Sequence, residues 1–395
     1  MVAARLMTAG ASSANPAAMS IERLAHLSDP AATPRVVLKV GSALLCGSDG
    51  LPRRDWLASL AGEIAEACQR GQQVVVVSSG AIALGAAKLK LAKGGRGSLA
   101  DAQAAAAVGQ IALAGLWSEL LAAHGLTAAQ LLLTLEDLED RRRYLNAAAT
   151  LGRLLGAGAV PVINENDSVA TAEIRFGDND RLAARVAQAA QAQAVVLLSD
   201  VDGLYDRDPR EKGARLLPRV EEVTEAVHAM ASSASASGLG SGGMISKLQA
   251  AEIATRAGIT LAILNGTHAA PLARAFEADL GTLFLPTRRD RARKAWLGGR
   301  QRLRGALTVD TGCARALVKG GSLLASGITA VEGEFARGDP IAVIDSVGKA
   351  VAQGLAEYDA AEIERIRGHR SEEHAALLGY APRSAVIHRD QLVLL

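Results

Sequence analysis

The chain has 395 residues, of which 49% are hydrophobic, 21% charged and only 3% aromatic, with a formal net charge of +2. That length supports two or three domains with well-buried cores, and the apolar share excludes wholesale disorder. The charge is uneven: segment 288–304 carries eight basic residues against Asp290 alone, which leaves −5 elsewhere, so a case for nucleic acid rests on that segment only.

Residues 1–33 are rich in Ala and Ser and lack the continuous apolar core of a signal peptide, so they read as a mobile extension. Cys46, Cys68 and Cys313 show no metal or redox spacing and read as small buried hydrophobes in a reducing compartment, the cytoplasm. The run RVVLKV, Arg35–Val40, is a strand whose one charge, Lys39, stands just before Gly41 and Ser42. A lysine there either faces an anion or snorkels to the surface, and its position alone does not choose. Helical periodicity follows over 55–70, then a buried strand over 73–77 that passes through Ser78, Ser79 and Gly80 into a helix beginning near Ala81. Strand, small polar turn and helix aim free N–H groups at an anion, which makes Ser79 and Gly80 candidates for a carboxylate or phosphate. Ala86 stands where a P-loop needs lysine, so that motif is excluded.

Long helices are expected over 101–123 and 136–155, with a strand over 129–133 between them. The first contains Gln103, Gly109, Gln110 and Gly115 and reads as an Ala-rich helix of a soluble domain, with no membrane span. The second bears Arg141, Arg142 and Arg143, a solvated face or a subunit contact. A strand over 159–163 then runs into Asn164, Glu165, Asn166 and Asp167, and a second cluster, Gly177–Asp180, precedes a helix from about Arg181. Polar clusters at the C-terminal ends of apolar strands are where open α/β sheets hold ligands. Capping accounts for one acid of the second cluster but not for Asp178, Asn179 and Asp180 together.

A strand over 194–199 ends in Ser199 and Asp200, a plausible nucleotide seat, and the segment SGLGSGGMISK, Ser237–Lys247, reads as a glycine loop that brings Lys247 to phosphates one turn into the next helix. Its glycines match GxGxxG, but no strand precedes them, so the dinucleotide fingerprint fails its context. Strands over 259–264 and 282–285 complete an alternation that implies a mostly parallel sheet sandwiched by helices. The basic linker 288–304 leads to a small β-rich module from Gly305 to about Pro382.

VVVVSSGAIALG, PVINENDSVATAEI, FGDNDRLAA and SGLGSGGMISKLQAA, in that order and followed by the β-rich module, resemble the amino acid kinase family from about Pro34 to the C-terminus. Within it they resemble the members that phosphorylate the side-chain carboxylate of L-glutamate with ATP, toward proline, and carry a C-terminal PUA domain. The resemblance implies an extension over 1–33, a catalytic domain over 34–287, a linker over 288–304, a PUA barrel over 305–383 and a tail over 384–395. It casts Lys39, Asp178, Asp180 and Lys247 as catalytic, and Ser79, Gly80, Asp167 and Asn179 as the glutamate site. ATP would be lined by Lys39, Ser199 and Asp200 and by a loop of Gly242, Gly243, Met244, Ile245, Ser246, Lys247 and Leu248. It further implies Mg²⁺ with no assigned protein ligand, feedback inhibition by proline, a homo-oligomer (dimer or tetramer), and RNA as a conceivable partner of the PUA domain. Ser78 and Ser199 stand where threonine is common in the family, and Ile245 replaces a polar residue.

Overall fold

β-Branched runs favour buried strands, and the Val-rich stretches form the middle of an eight-stranded sheet. The computed structural model describes residues 20–47, 50–169, 178–234, 243–286, 303–383 and 385–395. The sheet contains β1 (Arg35–Val40), β2 (Gln73–Ser78), β3 (Ala128–Leu133), β4 (Val160–Glu165), β5 (Ala194–Ser199), β6 (Arg219–Val220), β7 (Thr260–Asn265) and β8 (Thr282–Phe284). Its order is β3-β4-β2-β1-β5-β7-β8-β6, parallel throughout except where β8 runs against β7. The expected mostly parallel α/β sheet is therefore present.

The helices of this part are α1 (Ser42–Leu45), α2 (Arg54–Gln69), α3 (Ala81–Leu89), α4 (Leu99–Ala122), α5 (Leu135–Glu139), α6 (Arg141–Gly156), α7 (Asp178–Ala190), α8 (Glu225–Ala234), α9 (Met244–Arg256) and α10 (Pro271–Ala278). Leu57 and Leu60 of α2, Leu113 and Trp117 of α4 and Leu272 of α10 pack on one face of the sheet. Leu151 of α6, Leu182 of α7 and Leu248 of α9 pack on the other. Strand side chains alternate between faces. Val36, Leu38 and Val40 thus enter the first layer and Val37 the second, which puts Lys39 on the side of α7 and α9.

Helix α4 is, by length and composition, the one helix among the described residues able to cross a membrane. It packs tightly on α3 instead: a Cβ on Gly85 would lie 1.8 Å from the Ala105 carbonyl oxygen, and one on Gly109 would lie 1.7 Å from that of Ala81. Only glycine permits that approach. The single helix expected over 136–155 is two, because Asp140 adopts an extended conformation and its carboxylate caps α6 by accepting from the Arg143 N–H. A capping box between Thr134 and Asp137 starts α5 independently.

The boundaries expected at both ends shift. Residues 1–19 lie outside the described residues, but Ser20–Thr33 is built onto the sheet domain, with Ile21, Leu24, Leu27 and Ala32 buried and Leu24 N–H donating to Asp279. Two leucines three apart were hidden in an Ala/Ser-rich composition. The 288–304 linker falls almost wholly outside the described residues. Beyond it, β9 (Gly305–Val309), β10 (Ile328–Glu332), β11 (Pro340–Ile344), β12 (Ala350–Leu355) and β13 (Leu392–Leu394) form a second sheet in the order β10-β9-β11-β12-β13. With it go α11 (Thr311–Val318), α12 (Ala360–Ile366) and α13 (His374–Leu378). The expected tail is no tail: β13 pairs with β12 and buries Val393.

Of the run Arg141–Arg143, the first two residues receive the C-terminal module, while Arg143 is exposed and pairs with Asp137 at 2.9 Å. Arg142 Nε donates to the Arg337 carbonyl at 3.0 Å, Arg337 Nη1 donates to Asn146 at 2.8 Å, and Arg141 lies 4.0 Å from Asp339. Gly338, at φ +89°, fits where a Cβ would sit 3.2 Å from that of Arg141.

Candidate functional site

The C-terminal ends of β1, β2, β4 and β5 open toward the N-termini of α7 and α9, and the polar residues gather there. Lys39 and Asp180 are only 7% and 0% exposed. Lys39 Nζ lies 2.5 Å from Asp180 Oδ1, and Lys247 Nζ lies 3.3 Å from Oδ2. One carboxylate thus holds two ammonium groups, one from the strand end and one from the first turn of α9. An isolated buried charge would be untenable, and the trio leaves a surplus of one positive charge facing the opening.

Burial, reinforced by the neighbouring Lys247, lowers the Lys39 pKa despite the attraction of Asp180. Burial alone would raise Asp180, but Lys39 and then Lys247 outweigh it and hold its carboxyl below the ordinary range. Asp180 therefore remains a carboxylate and works by orienting the lysines rather than by carrying a proton.

Beside the trio runs a chain of amides. Asn179 Nδ2 donates to Ser79 Oγ at 2.9 Å and to Asn164 Oδ1 at 3.2 Å, while Asn164 Nδ2 donates to Gln110 Oε1 at 2.9 Å. Asn179 Oδ1 is buried and accepts no hydrogen bond among the described residues. A buried acceptor left open in this way invites a donor from a ligand. Ser78, one residue earlier, is turned away and accepts from Trp117 Nε1 at 2.9 Å, which fixes the strand end. Gly80 is the N-cap of α3 at φ +113°, and a Cβ there would strike Leu45 at 2.8 Å. Glycine is thus required for the turn that leaves the first amides of α3 unshielded.

Asp167 is 8% exposed, and its charge bears on Arg96. On the other side of Lys39 lies Asp200, whose carboxylate accepts from Ser199 Oγ at 3.1 Å and whose charge acts on Lys39. Asp202, two residues on, is locked by Asn265 Nδ2 at 2.8 Å and by the Tyr205 hydroxyl at 3.0 Å.

The structure accordingly brings together Lys39, Ser79, Asn179, Asp180 and Lys247, with Gly80, Asp167, Ser199 and Asp200 on the same strand ends. Gly242 and the glycine stretch before it fall outside the described residues, as do residues 170–177 between the two polar clusters, and the Asp178 side chain is likewise not described. The loop expected over 242–248 is shorter than that: Met244, Ile245, Ser246, Lys247 and Leu248 are already the start of α9, after Gly243. Lys247 consequently sits on a helix packed against α7. Leu248 points into the core and is fully buried, so it supports the fold rather than lining a ligand.

Sequence reasoning missed Gln110, Asn265 and Tyr205. The available signal for Gln110 was a polar residue directly after a helix-contact glycine in an apolar helix. For Asn265 there was none, since it reaches Asp202 from a neighbouring strand, whereas Tyr205 stands only three residues beyond Asp202 on the same segment.

The profile of the amino acid kinase family matches residues 34–265, and that of the PUA domain matches residues 305–378. A protein of Novosphingobium aromaticivorans named glutamate 5-kinase is 68% identical over 377 residues, covering 95% of this chain and 100% of its own. The glutamate 5-kinase of Sphingopyxis alaskensis is 60% identical, covering 93% and 99% respectively. That of Zymomonas mobilis subsp. mobilis is 54% identical, covering 93% and 92%.

Proposed function

Since the chain belongs to the amino acid kinase family and carries a PUA domain, alongside relatives named glutamate 5-kinase, we propose that it phosphorylates the side-chain carboxylate of L-glutamate. ATP is the donor, L-glutamyl 5-phosphate and ADP are the products, and the reaction is the first step of proline biosynthesis. The observation that carries this reading is the pair of ammonium groups, Lys39 and Lys247, held on the buried Asp180.

The acceptor carboxylate has a solution pKa of about 4.3, so it is ionised near neutrality and needs no general base. The obstacle is repulsion: a carboxylate must approach the polyanionic end of ATP. Preorganised positive charge is the remedy, worth more in a water-poor site than in solution. Lys39 and Lys247 supply it, and the amides at Gly80 add to it. A carboxylate oxygen of glutamate forms the new bond to the γ-phosphorus while the bond from that phosphorus to the β–γ bridging oxygen breaks, and the electron pair leaves with ADP. Asp167 and the open Asn179 Oδ1 take the glutamate ammonium, and Ser79 takes a carboxylate. Ser199, Asp200 and the start of α9 flank the nucleotide.

Among the described residues no three His, Cys, Asp or Glu side chains stand close enough to form a metal cage. Mg²⁺ keeps most of its waters and is commonly held by one or two carboxylates together with substrate phosphates; Asp200, at the end of β5 with its charge acting on Lys39, is the carboxylate that would hold it. When bound, the ion would neutralise phosphate charge. Proline, sharing the ammonium and α-carboxylate of glutamate, would inhibit by occupying part of the same pocket. The active form would be a homo-oligomer in the cytoplasm.

The test is ADP release with ATP, Mg²⁺ and a panel of L-glutamate, L-aspartate, N-acetylglutamate, carbamate and UMP, with hydroxylamine trapping any acyl phosphate. Hydroxamate formed from glutamate alone supports the reading. Turnover of another acceptor in its place overturns it.

A further inference from the structure

On the face of the sheet away from Lys39, a cavity of about 280 Å³ opens between α2, α10 and the turn at Leu27 and Ser28. Its floor is the outer parity of the sheet, Val36, Leu38, Val74 and Val196, and Phe276 forms a wall. Into this apolar space projects Glu63 of α2, itself only 8% exposed. Its carboxylate accepts the N–H groups of Ala273 at 2.7 Å and Leu272 at 3.4 Å, the first turn of α10, which has no side-chain cap of its own. That explains why a carboxylate is tolerated there, but it uses about two of the four acceptor positions a carboxylate offers.

No cation lies within ion-pairing distance of Glu63 among the described residues. Arg70, the basic residue at the rim, is drawn toward Glu66 at 3.9 Å. With Glu277 on the opposite rim, three carboxylates face one guanidinium around an apolar hollow. Burial raises the Glu63 pKa, with the two backbone donors opposing the rise, so the group would gain from a cation brought to it.

We propose that this cavity binds a small organic cation: an apolar body of six to ten heavy atoms, by the size of the hollow, bearing one ammonium group that meets Glu63. The site stands apart from the phosphoryl-transfer site and does not depend on the reading given for it. Charge complementarity selects the ammonium, and the valine floor selects the apolar body.

The probe set is phenethylamine, 2-phenylethanol and phenylacetate, equal in size and differing in charge, titrated into the full chain by protein-detected NMR. Saturable binding of the amine is expected, at least about tenfold tighter than the alcohol, with none for the carboxylate. Glu63→Gln keeps an oxygen for the closer α10 amide, Ala273, and gives up only the longer bond from Leu272; it should weaken the amine about tenfold while leaving the alcohol unchanged. Glu277→Gln, on the rim, should weaken the amine about twofold to threefold. Ala67→Leu, which fills the hollow, should abolish binding of both, with thermal unfolding run on each variant to show that it is folded. Equal binding of amine and carboxylate, absence of binding, or indifference of the amine to Glu63→Gln and Glu277→Gln in folded protein would overturn the proposal.

Discussion

Two places in the molecule set one carboxylate between two cations, and they differ in what the cations are. At the strand ends Asp180 holds Lys39 and Lys247; at the seam between the modules Glu357 holds Arg337 at 3.5 Å and Arg383 at 3.0 Å. The charge arithmetic is identical, but the chemistry is not. Ammonium groups are compact point charges on flexible stems, and their pKa responds to surroundings, so Lys39 is shifted down by burial. Guanidinium groups are planar and permanently charged in this context. Arg337 also donates to Asn146 and has its carbonyl taken by Arg142, so it is tied down on several sides. The first arrangement leaves charge free to follow a ligand, and the second spends it joining two pieces of chain.

The comparison breaks most sharply at the carboxylates of the strand-end site. Asp180→Asn would leave two buried ammonium groups facing one another, and turnover should fall by about 10³-fold with about 3–5 kcal/mol lost from stability, read by ADP release and thermal unfolding. Asp167→Ala should raise the glutamate KM about tenfold or more with a smaller change in turnover, as expected when a charged hydrogen-bond partner is lost; an unchanged glutamate saturation curve would contradict that role.

Alkaline pH sharpens the contrast between lysine and arginine. Because the Lys39 pKa lies below the ordinary 10.5, its charge is complete at lower pH and is lost as pH rises through the depressed value, so turnover should decline before pH 10.5. Lys39→Arg should lower turnover yet remove that decline, since a guanidinium stays charged; a decline that persists in Lys39→Arg assigns it to another group. Glu357→Ala should do least to the chemistry. We expect turnover within about threefold of the parent and about 1–3 kcal/mol of stability lost as two partly buried arginines lose their counter-charge, measured by thermal unfolding.

The sheet was legible because its central strands are apolar, Val-rich runs that end in polar residues, as at Val74–Ser78 and Val195–Ser199. The motif residues were legible because they fall where strands end, and parity along β1 was already enough to place Lys39 opposite Val36 and Leu38. The break at Asp140 was not, since the residues on either side are good helix formers and only the backbone at one capping residue interrupts them. Nor was the fate of Arg141 and Arg142, because their partners lie nearly two hundred residues away in the C-terminal module. Gln110 was concealed by its helix: α4 reads as an apolar run, and only the close packing of Gly85 and Gly109 fixes which way its polar residues face.

The most direct measurement is glutamyl hydroxamate formation, with ATP and Mg²⁺ present, by Lys39→Ala, Lys247→Ala and the double variant, each shown to be folded by thermal unfolding. Loss of about 10²- to 10³-fold in each single variant, with the double variant losing less than the product of the two, is the predicted result for two charges acting on one phosphoryl group. Hydroxamate formed at near-parental rates by both single variants would contradict it.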